Sequence, residues 1–446
     1  MKTIILGLGS NIGDRLSHLR NAYRAINAIP DLIIKQTSPV YVSDALLPID
    51  APTNWNMPYL NCAMRCETTQ QPHELLSQLK NIEWGIGRKP EKRHWGPRII
   101  DIDMLAWEEE VISDAKLTVP HPDLLERPFA LWPLADVAPH WHFPLSGALQ
   151  GKTAAELVEK WGSRFTGEAP FHTKQLFQRI DTPQLVGIIN VTPDSFSDGG
   201  TFFSADSAYQ QARRLVDAGA DIIDIGAEST APNAKPLTPD TEWQRLQSVL
   251  DAIHSAREHF IIQPKVSIDT YHAEVAEKAL KFGVDWINDV TGLQDPAMRK
   301  VLAEANVDCV MMHHLSIPAS RDHVIPPHQD AIKVVYAWAE KQLALLEQDG
   351  IARNRVILDP GIGFGKVPEH SLALIKHINV FSDLGARLLV GHSRKSFLSL
   401  FTNHPAYERD IETLAVSLFL SKQHVDYLRI HQVELCARAM KVAAAL

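Results

Sequence analysis

Apolar positions follow two regimes along this chain. From the N-terminus to about Lys160, Thr3–Leu8, Ile33–Val42, Tyr59–Cys66 and Ile99–Leu105 read as strands, and Asp14–Ala28 and Pro72–Trp84 as helices. That mixed order predicts an α+β unit. Periodicity is lost at WGSRFTGEAP, where Gly, Ser, Thr and Pro gather, so 161–171 is read as a linker between a domain at 1–160 and another at 172–446. Beyond it, short apolar runs alternate with amphipathic stretches: Leu185–Ile189, Ile222–Ile225, Lys265–Ile268, Trp286–Ile287, Cys309–Met312, Val356–Leu358, Arg387–Val390 and Tyr427–Ile430. Eight strand–helix units in about 260 residues predict an α/β (β/α)8, or TIM, barrel.

Chemistry in such a barrel sits at the C-terminal ends of the strands. Here those ends are polar: Asn190, Glu228 with Thr230, Asp269, Asn288 with Asp289, His313, Asp359, the run GHSRKS (391–396), then Arg429 and His431. One such Asp or Asn is usually a cap or turn residue. Convergence from all eight strands is harder to explain that way, and acceptors facing cations suit a heterocycle with an anionic tail. In the first domain, Asp101 and Asp103 stand two apart on a strand, which sends both to one face. Alone the pair is a weak signal. Arg88, Lys89, Lys92, Arg93 and Arg98 crowd it, however, and carboxylates beside a basic loop suit divalent ions with a triphosphate.

Composition narrows the reading. The net charge of −9 over 446 residues disfavours a sequence-independent nucleic-acid binder, so anionic ligands must be held by local cations. Four scattered cysteines without a CxxC pair read as reduced thiols. The first apolar run ends in Gly-Ser-Asn-Ile-Gly and reads as a strand rather than a signal peptide. No apolar run of about 18 residues suggests a membrane span, so a cytoplasmic protein is expected. GALQGKT (147–153) and GIGFGK (361–366) both fail the Walker A pattern, and the consecutive His313 and His314 would point apart on a strand.

The runs GIINVTPDSFSDGG (187–200), LDPGIGFGK (358–366), GHSRKS (391–396) and RIH (429–431) resemble the signature segments of dihydropteroate synthases, in order and across the second domain. The resemblance implies displacement of pyrophosphate from a pterin methylene by the amine of p-aminobenzoate. It further implies that Asp269, Asn288 and Asp359 hold the pterin with Lys395 beside its ring, and that Asn190, Arg429 and His431 hold pyrophosphate with one Mg2+. Thr230, Pro232, Phe364 and Ser396 would lie near the aminobenzoate. The first domain resembles hydroxymethyl-dihydropterin pyrophosphokinases at GLGSN (7–11), YLN (59–61), the Asp101–Asp103 stretch, TVPH (118–121) and RPFALWPL (127–134). That implies a ferredoxin-like three-layer sandwich acting on ATP, with Asp101 and Asp103 binding two Mg2+. By the same resemblance, Arg88, Arg98, His121 and Arg127 would contact phosphates, and Tyr59, Asn61, Trp95 and Phe129 would hold the pterin. VSDAL (42–46) departs from the Thr-Pro-Pro usual in that family. Together the halves resemble the bifunctional enzymes of folate biosynthesis, whose family implies a homodimer through the barrel. A pterin-dependent methyltransferase and an inactive pterin-binding protein are the rival readings, opposed by the fused kinase and by the retained Asp101, Asp103, Lys395 and Arg429.

A second departure lies after the second barrel strand, where Ser229-Thr230-Ala231-Pro232 stands in place of the family's Ser-Thr-Arg-Pro. Lys235 is the nearest cation in that loop, a point charge without the bidentate fork of Arg. Lys235→Ala is expected to raise the Michaelis constant for aminobenzoate or to weaken pyrophosphate binding, and Ala231→Arg to restore part of the loss. Synthase kinetics indistinguishable from the parent would make Lys235 a solvated charge.

Overall fold

The computed structural model describes residues 1–48, 50–88, 96–191, 205–228, 236–255, 264–320 and 322–445. They form two compact units, built on Met1–Asp181 and Thr182–Ala443.

The first unit contains β1 (Lys2–Ser10), α1 (Arg15–Asn27), β2 (Leu32–Thr37), β3 (Pro39–Ser43), β4 (Tyr59–Thr68), α2 (Pro72–Ile86) and β5 (Asp101–Trp107). A small hairpin, β6 (Ile112–Ser113) with β7 (Thr118–Val119), then leads to α3 (Pro128–Val137), α4 (Ala154–Val158) and β8 (Lys174–Arg179). The sheet order is β5-β1-β4-β3-β8, with β2 also paired to β4. The period of two along β1 makes the layers. Ile4, Leu6 and Leu8 pack with Leu19 and Ile26 of α1 and Leu75 and Leu79 of α2, whereas Ile5 packs with Leu131 and Leu134 of α3. The result is the expected ferredoxin-like sandwich, with helices on both faces of an antiparallel sheet.

Two expectations meet differences here. The single strand expected over Ile33–Val42 is two strands, because Ser38 interrupts it: its Oγ accepts from the Ala63 amide at 2.9 Å and donates to the Pro39 carbonyl at 2.7 Å. The stretch 161–171, expected as a linker, lies inside the first unit. Arg164 pairs with Asp136 of α3, and Lys174–Arg179, expected to open the barrel domain, instead runs antiparallel to β3.

In the second unit, β9 (Gln184–Asn190), β10 (Ile222–Gly226), β11 (Lys265–Asp269), β12 (Trp286–Asp289), β13 (Asp308–Met312), β14 (Val356–Asp359), β15 (Arg387–Val390) and β16 (Tyr427–Ile430) close into a parallel barrel. They are followed in turn by α5 (Ala205–Asp217), α6 (Pro239–Ser255), α7 (Ala273–Lys281), α8 (Pro296–Glu304), α9 (Ala331–Gln348), α10 (Pro368–Lys376), α11 (Asp410–Leu420) and α12 (Val433–Ala445). No described helix is long and apolar enough to cross a membrane. Val186, Ile222, Trp286, Val310, Ile357, Leu389 and Tyr427 form a buried apolar layer across the barrel interior. One pleat further along their strands stand Asp224, Asn288, Asp359 and Arg429, on the same inward face.

The loop after β14 requires a glycine at Gly361. Its φ is +68°, and a Cβ there would lie 1.9 Å from the carbonyl oxygen of His313. Gly361→Ala combines left-handed strain of about 1–2 kcal/mol with an overpacking cost of about 1–3 kcal/mol, so thermal denaturation should show a loss near the sum of the two. A melting temperature equal to the parent's would refute this close approach.

Candidate active sites

In the first unit, a cavity of about 410 Å³ opens beside β1, β4 and β5. Tyr59, Asn61, Arg98, Asp101, Asp103, His121, Arg127 and Phe129, all expected from the sequence, line it. Gly9 lets β1 pass close to Asn61, since a Cβ there would sit 3.0 Å from Asn61 Oδ1. Asn61 Nδ2 in turn donates to Ser43 Oγ at 3.0 Å, and Asp44 and Leu46 also line the cavity, so part of the divergent VSDAL segment belongs to its wall. Phe129 presents its ring edge-on to Phe171, with centroids 5.6 Å apart.

Asp101 is gripped by Arg88 Nη1 at 2.7 Å and by Arg98. Burial opposes its ionisation, yet the guanidinium groups of Arg98 and Arg88 hold its carboxyl below the usual range. Asp103 is pushed up to about 7 by burial and by the charge of Asp101. Two close carboxylates that resist sharing their charge are a donor set that fits divalent cations. Burial and Arg127 lower the pKa of His121, leaving a neutral ring beside a cation. Sequence reasoning missed Glu83. This buried carboxylate accepts from Lys80 Nζ at 2.9 Å and from the Ile102 amide at 2.7 Å, and pairs with Arg88 at 2.6 Å, so it ties α2 to the basic end of the site. Its signal was available: Leu75, Leu79 and Glu83 repeat every four residues on one helix face. Trp95, with Lys89, Lys92 and Arg93, lies outside the described residues.

In the barrel, Asp269, Asn288, Asp359, Phe364, Lys395, Arg429 and His431 line one cavity above the apolar layer. Asn190 and Ser396 do not border it. Asn190 stands exposed at the end of β9, and Ser396 opens the turn after Lys395. Thr230 and Pro232, with Ala231 and Lys235, lie outside the described residues. Asp359 Oδ1 accepts from the Gly361 amide at 2.7 Å, and burial raises the pKa of its carboxyl against the pull of Lys395 and Arg429. Lys395 Nζ lies 4.2 Å from the centre of the Phe364 ring. Burial and then Arg429 lower its pKa to about 8. His431 is lowered to about 4 by burial and by Arg394, Arg429 and Lys395, so at neutral pH its Nδ1, 2.9 Å from Ser393 Oγ, belongs to an uncharged ring.

Two buried polar residues here were given no role by the reading of the sequence. Asp224, inside the apolar run DIIDIG, accepts from Ser267, Asn288 and Arg429. Lys366 donates to the carbonyls of Phe364 at 2.8 Å and His313 at 3.3 Å, fastening the loop that carries Phe364. A charged residue inside an apolar strand is a costly burial, and that cost was the legible signal for Asp224.

Comparison with known proteins agrees with the geometry. A family described as "7,8-dihydro-6-hydroxymethylpterin-pyrophosphokinase (HPPK)" matches residues 5–139, and one described as "Pterin binding enzyme" matches residues 186–431. The chain is 38% identical to the "Folate synthesis bifunctional protein" of Chlamydia muridarum, over 99% of this chain and 97% of that one. It is 35% identical to the mitochondrial "Folate synthesis bifunctional protein" of Arabidopsis thaliana, over 99% of this chain and 83% of the relative. Among solved structures, the dihydropteroate synthase of Anaplasma phagocytophilum with bound 6-hydroxymethylpterin-monophosphate is 41% identical. It covers 59% of this chain and 99% of its own, with a TM-score of 0.54.

Proposed function

We propose a residue-level mechanism for a chain that belongs to the bifunctional folate-synthesis proteins, and whose two units transfer pyrophosphate from ATP to 6-hydroxymethyl-7,8-dihydropterin and then condense the product with p-aminobenzoate to 7,8-dihydropteroate and pyrophosphate. The observation that carries the mechanism is the pairing of a two-carboxylate, multi-cation cavity in one unit with a ring of acceptors and cations above the apolar layer of the other.

In the first reaction the pterin hydroxyl attacks the β-phosphorus of ATP and AMP departs. Asp101 and Asp103 would hold two Mg2+, which would neutralise the polyphosphate when bound. Arg98, Arg88, His121 and Arg127 contact the phosphates, with Arg88 and Arg98 also fixing Asp101. Asn61 hydrogen-bonds the pterin, while Tyr59 and Phe129 pack against it, a role that the sequence resemblance extends to Trp95.

In the second reaction the aminobenzoate nitrogen attacks the pterin methylene carbon. The C–O bond breaks, pyrophosphate leaves with the electron pair, and the nitrogen loses its proton. No side-chain nucleophile is needed, so stabilisation of the departing anion is the main catalytic effect. Asp359, Asn288 and Asp269 hold the ring with Lys395 beside it. Arg429 and His431 hold the pyrophosphate, and Asn190, at the end of β9, would reach it through one Mg2+. Phe364 and Ser396 border the aminobenzoate, a role that the sequence resemblance extends to Thr230 and Pro232.

The active form is a cytoplasmic homodimer joined through the barrel. In support, Ile411 and Phe419 of α11 and Leu435 and Val442 of α12 are left exposed, Ile411 by 81%. The test is a coupled assay in which the purified chain, given pterin alcohol, ATP, Mg2+ and p-aminobenzoate, releases AMP and pyrophosphate in step with dihydropteroate. AMP without dihydropteroate would remove the second mechanism, and neither product would remove both.

A further inference from the structure

Arg429 stands between two carboxylates. Its Nε donates to Asp224 Oδ2 at 2.6 Å and its Nη2 to Asp269 Oδ2 at 2.9 Å. Asp224 is 1% exposed and is a junction as well as a partner. Its Oδ1 accepts from Ser267 Oγ at 2.6 Å, while Oδ2 also accepts from Asn288 Nδ2 at 3.1 Å. One carboxylate therefore fixes both an amide assigned to the ring and a cation assigned to the pyrophosphate.

Asp269 is contested. It is assigned to the pterin, yet its Oδ2 is bound to Arg429, so ring donors that arrive there compete with the guanidinium. An Arg that simply lost Asp269 would be left as a partly buried cation with less compensation, which is costly. Asp224 lowers that cost, because the Nε–H bond can be kept while the whole rigid guanidinium plane turns about it and carries the Nη groups away from Asp269.

We propose that Asp224 is a positioning residue for the synthase reaction: it holds Arg429 at Nε as a pivot, so that the guanidinium yields Asp269 to the pterin ring and turns its Nη groups to the pyrophosphate. This rests on the reading of Arg429 as a pyrophosphate ligand. Ring recognition and leaving-group stabilisation then become one event. The pterin alcohol, which lacks pyrophosphate, displaces Arg429 without giving it a new partner.

The test uses the full-length chain. Asp224→Asn keeps the shape and an acceptor for Nε but removes the charge. It should raise the Michaelis constant for pterin pyrophosphate about tenfold, and should change it by less than about twofold in an Arg429→Met background, since coupled residues are not additive. Ser267→Ala removes another bond to the same carboxylate without touching Arg429. It should lower the melting temperature without that rise. Arg429→Met alone should bind pterin alcohol at least about threefold more tightly by calorimetry, because Asp269 is released, while binding pterin pyrophosphate more weakly. An equal effect of Asp224→Asn in both backgrounds, or alcohol binding in Arg429→Met that is unchanged or weaker, overturns the pivot. Parent-level binding of pterin pyrophosphate by Arg429→Met instead overturns the reading of Arg429 beneath it. Should Asp224→Asn not fold, the alcohol-against-pyrophosphate comparison in Arg429→Met decides alone.

Discussion

Asp101→Ala is expected to lower pyrophosphoryl transfer more than about 100-fold, equivalent to about 2.7 kcal/mol of transition-state stabilisation. Two losses combine. The proposed metal-binding pair is reduced to Asp103, and Arg88 and Arg98, which now grip Asp101, lose a carboxylate partner and can turn towards Asp103. The second unit should be indifferent, so dihydropteroate formation from pre-made pterin pyrophosphate should match the parent. Measuring AMP release and dihydropteroate formation on one preparation separates the two. Kinase activity within about tenfold of the parent would show that Asp101 is not a metal ligand.

The barrel counterpart is Asp359→Asn. Asp359 is 6% exposed, with Oδ1 committed to the Gly361 amide and Oδ2 facing the cavity wall at Gly391. An amide in its place presents N–H groups either to the Gly361 amide or to the ring donors, and one of those contacts becomes donor against donor. An unmatched buried group costs about 1–3 kcal/mol, so pterin affinity should fall about 5- to 150-fold. The kinase step of the same protein should be unaffected. Equal pterin affinity in calorimetry for Asp359→Asn and the parent would exclude pairing between this carboxylate and the ring.

The barrel was legible because parallel strands are covered on both faces. Each is a short apolar run closed by polar residues, as in VILD (356–359) and WIND (286–289), and all eight strands fall where those runs lie. The paired Asp101 and Asp103 were legible because two carboxylates at a spacing of two on a strand share a face. β8 was not, since KQLFQR is an only partly covered edge strand with Phe177 at a φ of +53°, and its exposed positions read as linker. Glu83, Asp224 and Lys366 were given no role for another reason. Reading the residues beyond strand ends finds groups that face a ligand, whereas these three sit one layer behind and face the groups that do. The aminobenzoate side, with Thr230, Pro232 and Lys235, rests on sequence alone, as those positions lie outside the described residues.

Among the described residues, the apolar layer at Val186, Ile222, Trp286, Val310, Ile357, Leu389 and Tyr427 closes the synthase cavity from below. Asn288, Asp359 and Arg429 stand on the pleat directly above that floor, while Phe364 belongs to the loop at the rim. A molecule seated on the floor must therefore arrive before one seated at the rim and cannot depart until the rim is clear. With the pterin seated on that floor and the aminobenzoate at the rim, as proposed, the traffic is last in, first out: the pterin is expected to load first, and an aminobenzoate that comes early to block the way down.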